Sequence, residues 1–439
     1  MSALHDVLGK LSYRILPEWE KRLWDTQKDM IPEYCFMPDK HLGLPLNNKE
    51  EKRLRKYCFL PNGKPLPHGP CEDDYRICVF SNYHSRKVRK YVISFYLKKI
   101  VHLLSQKNFE ESARFGGALA HYLQDACCPA HVINNFLLNS LFPPSNKHAW
   151  HYHRIIDAWP CDENNITPSP KLMGSSIDEA IFNLCMEYDT ATAFAISQVC
   201  PFISAIQENN HQKANAISNA FNSRAVAFGS SAWHTAFSLA FGRFSQRELA
   251  GLNTIHLANR IPINELSEKF SREKLAKYGI KFYDTAYQEA DPSRSKLSND
   301  PYPFEAIANI ASDGKGKAFP LSLNIIKNGR QVQKNFKKGF AAGGYSIIAF
   351  EAPGSIFGEF KVLAGIHPSS PRDSKASFAV FCEQSGKKVF GNKKVSETDS
   401  AIELKIPLDC KCKTVFMIVT EGTRGLHAIW ANPILTKRA

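Results

Sequence analysis

Histidine and aspartate recur four residues apart at His121-Tyr-Leu-Gln-Asp125, and His131 follows just beyond Pro129. On a helix, an i, i+4 pair shares one face. Pro129 should bend or end that helix, so His131 would return from the following turn. Imidazole nitrogen and carboxylate oxygen presented together form a donor set that suits Zn²⁺. The surrounding segment, from Phe109 to Cys128, is otherwise apolar, with Gly116 and Gly117 allowing close approach of a neighbour. Polar donors projecting from an apolar helix are costly to bury unless something binds them. A simple ion pair, with the aspartate orienting the histidine, is the competing reading of the pair taken alone.

More donors lie along the chain. His153-Arg-Ile-Ile-Asp157 repeats the same spacing. His5 starts the first apolar periodic stretch, Asp39 follows Pro38, and His68 sits in a Pro- and Gly-rich stretch. The candidate set is therefore His5, Asp39, His68, His121, Asp125, His131, His153 and Asp157. It is all nitrogen and oxygen, enough for two or three zinc ions. His84, His148 and His151 lie close in sequence, and His84 is the alternative to His68. Twelve cysteines are scattered with no CxxC pair, which argues against a thiolate zinc ribbon and reads most of them as buried reduced thiols. The chain has no G-x-S-x-G and no Gly-rich phosphate loop.

The elements that must position these residues are helical. Leu4 to Trp24 is periodic and broken at Pro17. Arg86 to Gln106 is amphipathic, and Ser176 to Ile206 and Ala214 to Phe244 continue in the same style. Residues 40–80 read as an ordered loop or lid. After about residue 250 the style changes. Ser267 to Tyr278 reads as a short polar helix, and residues 291–303, with three prolines, as a linker. Short strand-like runs follow at Tyr345–Phe350, Phe360–Ile366, Ser377–Cys382, Ala401–Ile406, Thr414–Thr420 and His427–Leu435. Their spacing predicts an all-β sandwich. The chain is thus expected to be multidomain: a helical domain over 1–250, a linker with a short helix over 251–315, and a sandwich over 316–439.

With those motifs in view, HYLQD…PAH followed by HRIID resembles the zinc-dependent phospholipase C and single-strand-specific nuclease superfamily. That superfamily carries H-Y-x-G-D-x5-H and then H-x3-E or H-x3-D. The likeness covers roughly residues 1–245 and includes ARFGGA before the motif, His5 with LPEW, and the MPD ending at Asp39. It implies an all-α zinc phospholipase C-like domain. His121 and Asp125 would bind one zinc with Asp39 and His68. Asp125 would bridge to a second zinc held partly by His5, and His131, His153 and Asp157 would bind another. The chain departs from the pattern at Gln124, where the family has glycine, and it has no N-terminal tryptophan to donate its amino group.

The implied chemistry is zinc-dependent phosphodiester hydrolysis by a metal-activated water, with Asp39 as ligand and as general base or orienter. Phospholipid headgroup cleavage is the favoured substrate reading. Single-strand nuclease action on the same metal core is one alternative; Tyr34, Phe36, Tyr57, Phe59, Trp150 and Tyr152 would be its base-stacking candidates. A non-catalytic zinc-containing binding protein is the other.

The C-terminal region resembles a second family on KNFKKGFAAGGYSIIAFEAPG (334–354), FKVLAGIH, SFAVFCEQSGKKVF and HAIWANPIL. This is the NPCBM carbohydrate-binding module, a galactose-binding-like β-sandwich, here over about 316–439. It implies a glycan partner. His367 replaces that family's usual Asp, His427 lacks the usual preceding Asp, and Trp430 reads equally well as core. The formal charge is +14, and residues 301–439 hold 20 Lys and Arg against 11 Asp and Glu. Such a surface suits anionic partners, including a peripheral membrane surface. No apolar run is long enough to span a bilayer. The N-terminus lacks a secretory pattern, which leaves a cytoplasmic protein or an already mature or truncated sequence.

Overall fold

The computed structural model describes residues 4–40, 86–133, 135–143, 151–261, 307–312, 317–343, 346–382, 391–422 and 426–438. His68, His84, His148 and Trp150 lie outside these residues, as do nearly all of the 40–80 loop, the 267–278 helix and the 291–303 linker. The chain divides into two compact units, Met1–Leu252 and Asn253–Ala439.

The first unit is helical. Its described helices are α1 (Leu4–Arg14), α2 (Glu18–Leu23), α3 (Ile31–Lys40), α4 (Arg86–Ser105), α5 (Phe109–Asp125), α6 (Asn135–Leu141), α7 (His151–Asp157), α8 (Ile177–Gln207), α9 (His211–Phe241) and α10 (Gln246–Leu252). Start and stop signals in the sequence account for the long ones. Asn108 caps α5 by accepting from the Glu111 amide, and Glu110 and Glu111 face its positive end. Ser176 caps α8 and Asn210 caps α9 in the same way. Gly242, at φ +63°, ends α9 in the left-handed conformation that a Cβ disfavours. As expected, Pro17 separates α1 from α2.

Helix α5 runs through the middle of this unit, in contact with α1, α3, α4 and α9. Of its residues from Ser112 to Asp125, only Arg114 is not buried. Gly117 makes the closest crossing: a Cβ there would lie 2.5 Å from the Tyr34 Cβ and 2.6 Å from its carbonyl carbon. A Cβ on Gly116 would lie 2.8 Å from the Trp24 ring. The two glycines thus let α3 and the Trp24 indole lie directly against α5. Arg89 on α4 ties to Asp189 on α8 through two contacts, 2.8 and 2.9 Å. Both side chains are buried, so removal of either partner would cost about 3–5 kcal/mol.

The second unit is a β-sandwich. One sheet has the order β12 (Ile402–Pro407), β9 (Phe357–Ile366), β14 (Ala428–Lys437), β7 (Gly339–Ala342), β2 (Ile307–Ala308), with β1 (Thr254–His256) on the far half of β14. The other has the order β11 (Gly391–Ser396), β10 (Lys375–Cys382), β13 (Thr414–Gly422), β8 (Ile347–Glu351). All these pairings are antiparallel. Aromatic rings close the space between the sheets: Phe340 meets Phe350 at 5.6 Å and Phe378 meets Trp430 at 5.1 Å. Short pairs β3 (Ala311–Ser312) with β4 (Ala318–Phe319), and β5 (Leu321–Lys327) with β6 (Arg330–Phe336), lie outside both sheets.

Six strands fall where the alternation of the sequence placed them, within a few residues. Four points differ. β1 and the turn after it extend the first sheet from a stretch read as linker. β2 to β7 and β11 are strands outside the six runs read from sequence: β2, β3 and β4 are two residues each, β6 is solvent-facing until Phe336 and β7 is a four-residue buried run, whereas β5, LSLNIIK, does carry an apolar pattern. Cys382 and Cys412 are paired as a disulfide; the buried Cys35 and Cys127 are free thiols. Trp430 is 0% exposed, so its ring belongs to the core.

Candidate metal centre

Helix α5 supplies the fixed point. One turn apart on its buried C-terminal end, His121 and Asp125 meet with Nε2 3.3 Å from Oδ2. Helix α1 brings His5 in from its first turn, Nε2 3.0 Å from Asp125 Oδ1. The turn at Pro129 returns His131, whose Nε2 is 3.6 Å from Asp125 Oδ1 and 3.2 Å from Asp157 Oδ1 on α7. Three imidazoles therefore converge on one buried carboxylate, and a second carboxylate extends the row. The ring centroids of His5 and His121 are 4.0 Å apart, and those of His131 and His153 are 4.8 Å apart.

The outward nitrogens of three of these rings are held. His5 Nδ1–H donates to Gln124 Oε1 at 2.9 Å, His121 Nδ1–H to the Cys35 carbonyl at 3.0 Å, and His153 Nδ1–H to the Ala130 carbonyl at 3.1 Å. A backbone carbonyl can only accept, so for His121 and His153 the proton is fixed on Nδ1 and the Nε2 lone pair is left for a ligand role. Such outer partners set the tautomer and aim of metal-binding histidines.

Electrostatics separates the donors. Burial pushes the Asp125 carboxyl up, but His131, His121 and His5 around it hold it well below the usual carboxylate range. Asp157 is likewise pulled down, to about 2, by its bond to His131 in spite of burial. Burial works to lower His131, yet the two aspartates lift it to about 9. Burial pushes the Cys127 and Cys128 thiols up, which keeps them neutral beside this cluster.

Among the described residues the donor atoms form two groups: His5, His121 and Asp125, and His5, His131 and Asp157. Within each, all lie within 4.8 Å of one another. Tetrahedral zinc with bonds of about 2.0–2.1 Å places its ligand atoms roughly 3.3 Å apart. The 3.3 Å between His121 and Asp125 and the 3.2 Å between His131 and Asp157 fit that value. His5, His121, Asp125, His131 and Asp157 are thus brought together. His153 packs on His131, but its donor atoms fall outside both groups. Asp39 has its backbone in α3, the helix that supplies the Cys35 carbonyl; its side chain and all of His68 lie outside the described residues.

The sequence did not reveal the Cys35 and Ala130 carbonyls, since any residue offers one and only the tertiary fold selects it. It did flag Gln124, as a departure from a pattern, without giving it a role. The structure makes it the partner of His5. A third feature carried no motif at all. His234 on α9 lies between Glu20 on α2 (Nδ1 to Oε1, 2.6 Å) and Glu248 on α10 (Nε2 to Oε1, 2.6 Å). These three residues are far apart in sequence.

Over 99% of this chain and 94% of the other, the alpha toxin of Clostridium absonum superposes at a TM-score of 0.30 with 8% identity. CBM51 from Clostridium perfringens GH95, solved with methyl-galactose, matches 31% of this chain and 89% of its own at 20% identity and a TM-score of 0.25. The M60 catalytic domain with CBM51-1 and CBM51-2 of Clostridium perfringens ZmpB matches at 18% identity and the same TM-score, and the chain covers only 14% of it. No curated protein matches the chain. Residues 304–436 match the NPCBM/NEW2 domain family, so the C-terminal sandwich of this chain is an NPCBM domain.

Proposed function

We propose that the helical unit is a zinc-dependent phosphodiester hydrolase of the phospholipase C type, and that the NPCBM domain holds it to a glycan-bearing surface. The convergence of His5, His121 and His131 on Asp125, extended by Asp157 on His131, carries the reading, because a buried row of imidazoles and carboxylates has little use in a core without an ion. His5, His121 and Asp125 would hold one zinc, and His131 and Asp157, with His153 beside them, a second; Asp39 and His68 are the further ligands. Bound there, zinc would supply a water acidic enough to ionise near neutral pH and a positive charge for the phosphoryl oxygens.

The chain's own residues do the rest. Gln124 and the Cys35 carbonyl hold the protons of His5 and His121 on Nδ1, so both Nε2 atoms face the ions. Asp125 spreads one negative charge over both groups. Asp157 keeps His131 turned toward Asp125. Asp39 is assigned the role of accepting a proton from the attacking water.

Phospholipid is preferred over single-stranded nucleic acid because Tyr34 and Tyr152, two of the aromatic candidates for base stacking, are buried in the cores. Purified protein should contain zinc and release headgroup from phosphatidylcholine, and His121→Ala should lose both. Protein without zinc would sink the enzymatic reading. Zinc with cleavage of single-stranded DNA and not lipid would make it a nuclease, and zinc with neither activity would make the ion structural.

A further inference from the structure

The β5–β6 hairpin stands apart from the rest of the sandwich. Its base is anchored: Leu321, Leu323 and Phe336 are buried against Ile429 and Ala431 of β14. Gln331 adds a brace by donating to the Thr398 carbonyl at 2.8 Å. Its far end is exposed. Lys327 pairs across from Arg330, Ile326 from Gln331 and Ile325 from Val332. Asn328 and Gly329, at φ +52° and +74°, make the tight two-residue turn that keeps the strands in register to the tip. Ile326 is 61% exposed and Val332 38%, on opposite faces of the hairpin.

The charge is one-sided. Residues 314–350 contain seven Lys and Arg and no Asp or Glu. Lys327, Arg330 and Lys334 lie on the hairpin, and Lys337 and Lys338 follow it. The nearest acidic loop uses its carboxylates locally: Glu397 accepts from the Asp373 amide and Asp399 from the Ser396 amide.

We infer that the tip of this hairpin, with Val332 on the face that carries Lys327, Arg330 and Lys334 and Ile326 on the reverse face, enters an anionic lipid bilayer tip first. An acidic surface draws such cations. The exposed aliphatic side chains decide between polyanions. Ile326 and Val332 gain nothing from a nucleic acid or an acidic glycan, whereas they gain by leaving water among headgroups and acyl chains. The hairpin holds no zinc donor and belongs to a different unit from the metal centre, so this docking stands or falls separately from the hydrolase reading.

Sedimentation of the full chain with vesicles tests it. Vesicles with a third phosphatidylserine should bind the protein, and pure phosphatidylcholine should bind it at least about tenfold more weakly. Lys327→Glu with Arg330→Glu should weaken binding to the acidic vesicles at least about tenfold, as should Ile326→Asp alone. Unchanged thermal unfolding would show that the variants are folded; should one unfold early, Ile326→Ser and Lys327→Gln replace them. Absence of a preference for acidic vesicles overturns the proposal, and so does binding that survives both folded variants. Loss on charge reversal with no effect of Ile326→Asp, together with equal capture on heparin, would make the tip a general polyanion surface and would also overturn it.

Discussion

Gln124 is the residue whose role changed most between sequence and structure. It stands at a position where the resemblance implies glycine, and bulk beside candidate metal ligands first suggests obstruction. Instead its amide oxygen takes the His5 Nδ1 proton at 2.9 Å, which turns Nε2 toward Asp125. Gln124→Leu keeps the volume and removes the acceptor. Zinc affinity measured by competition with a chelating dye should fall about 10–100-fold, the usual cost of losing such an outer partner. Gln124→Glu, which retains an acceptor, should restore most of it. Affinity unchanged in the leucine variant would mean that His5 is aimed by packing alone. At this scale the sequence was informative about donors and silent about what aims them. His121, Asp125, His131 and Asp157 announced themselves by type and spacing. The carbonyls of Cys35 and Ala130 have no sequence signature, because every residue but its fold context offers the same group.

Among elements, the helices were legible because their 3.6-residue pattern and their caps are local. How they cross was legible only in part: Gly116 and Gly117 signalled a close approach without naming the Trp24 ring and α3 as what approaches. The joint of α2, α9 and α10 at His234 was invisible, since Glu20, His234 and Glu248 meet only once the helices have packed. That joint has a pH signature. Burial acts to lower His234, but hydrogen bonds and charge from Glu20 and Glu248 more than reverse this, and its pKa is raised. Glu248 is held down by Ser245 and His234 against burial, and burial raises Glu20. A raised histidine stabilises fully below its unfolded value near 6.5 and loses that contribution as pH climbs through the folded value. Glu248, lowered, titrates on the acid side, whereas Glu20, raised, loses stability as pH climbs from 4.5 toward its folded value and so adds to the same decline. Thermal unfolding should therefore show a midpoint that declines from pH 6 into the alkaline range, and His234→Gln should flatten part of that decline. An identical slope in the variant would mean the joint stays charged throughout. Lys171, Arg243 and Arg247 line the open cleft beside this joint and act in the opposite sense, favouring the neutral ring.

For the whole molecule, the two units are built on different rules, one on helical periodicity and one on alternation. This is why the change of style near residue 250 is visible in the sequence alone. The boundary itself was less so. The cut at Leu252 follows α10 directly, and the next three residues already pair with the last strand of the sandwich. A three-residue strand with one buried side chain has too little pattern to be read locally. The hairpin β5–β6 differs within itself: β5, LSLNIIK, carries an alternating apolar start, whereas β6, RQVQKNF, is polar and basic up to Phe336 and is ordered by its pairing with β5.

Enclosure of α5 on all sides has a consequence in time. His121 and Asp125 are nearly sealed, whereas Asp157, on the seven-residue α7, keeps about a third of its side chain in water and His131 is partly open. On the proposed reading, an ion held by His131 and Asp157 would be reached by a chelator after a small local opening. One held by His121, Asp125 and His5 would wait until helices that pack on α5 separate, an event as rare as opening of the core itself. Mixed with excess chelator, the zinc-loaded protein should surrender its metal with two separate half-lives. The slow one should shorten with added urea in step with the unfolding rate, while the fast one stays nearly constant; a single rapid exponential would show that the buried half breathes as freely as the open one.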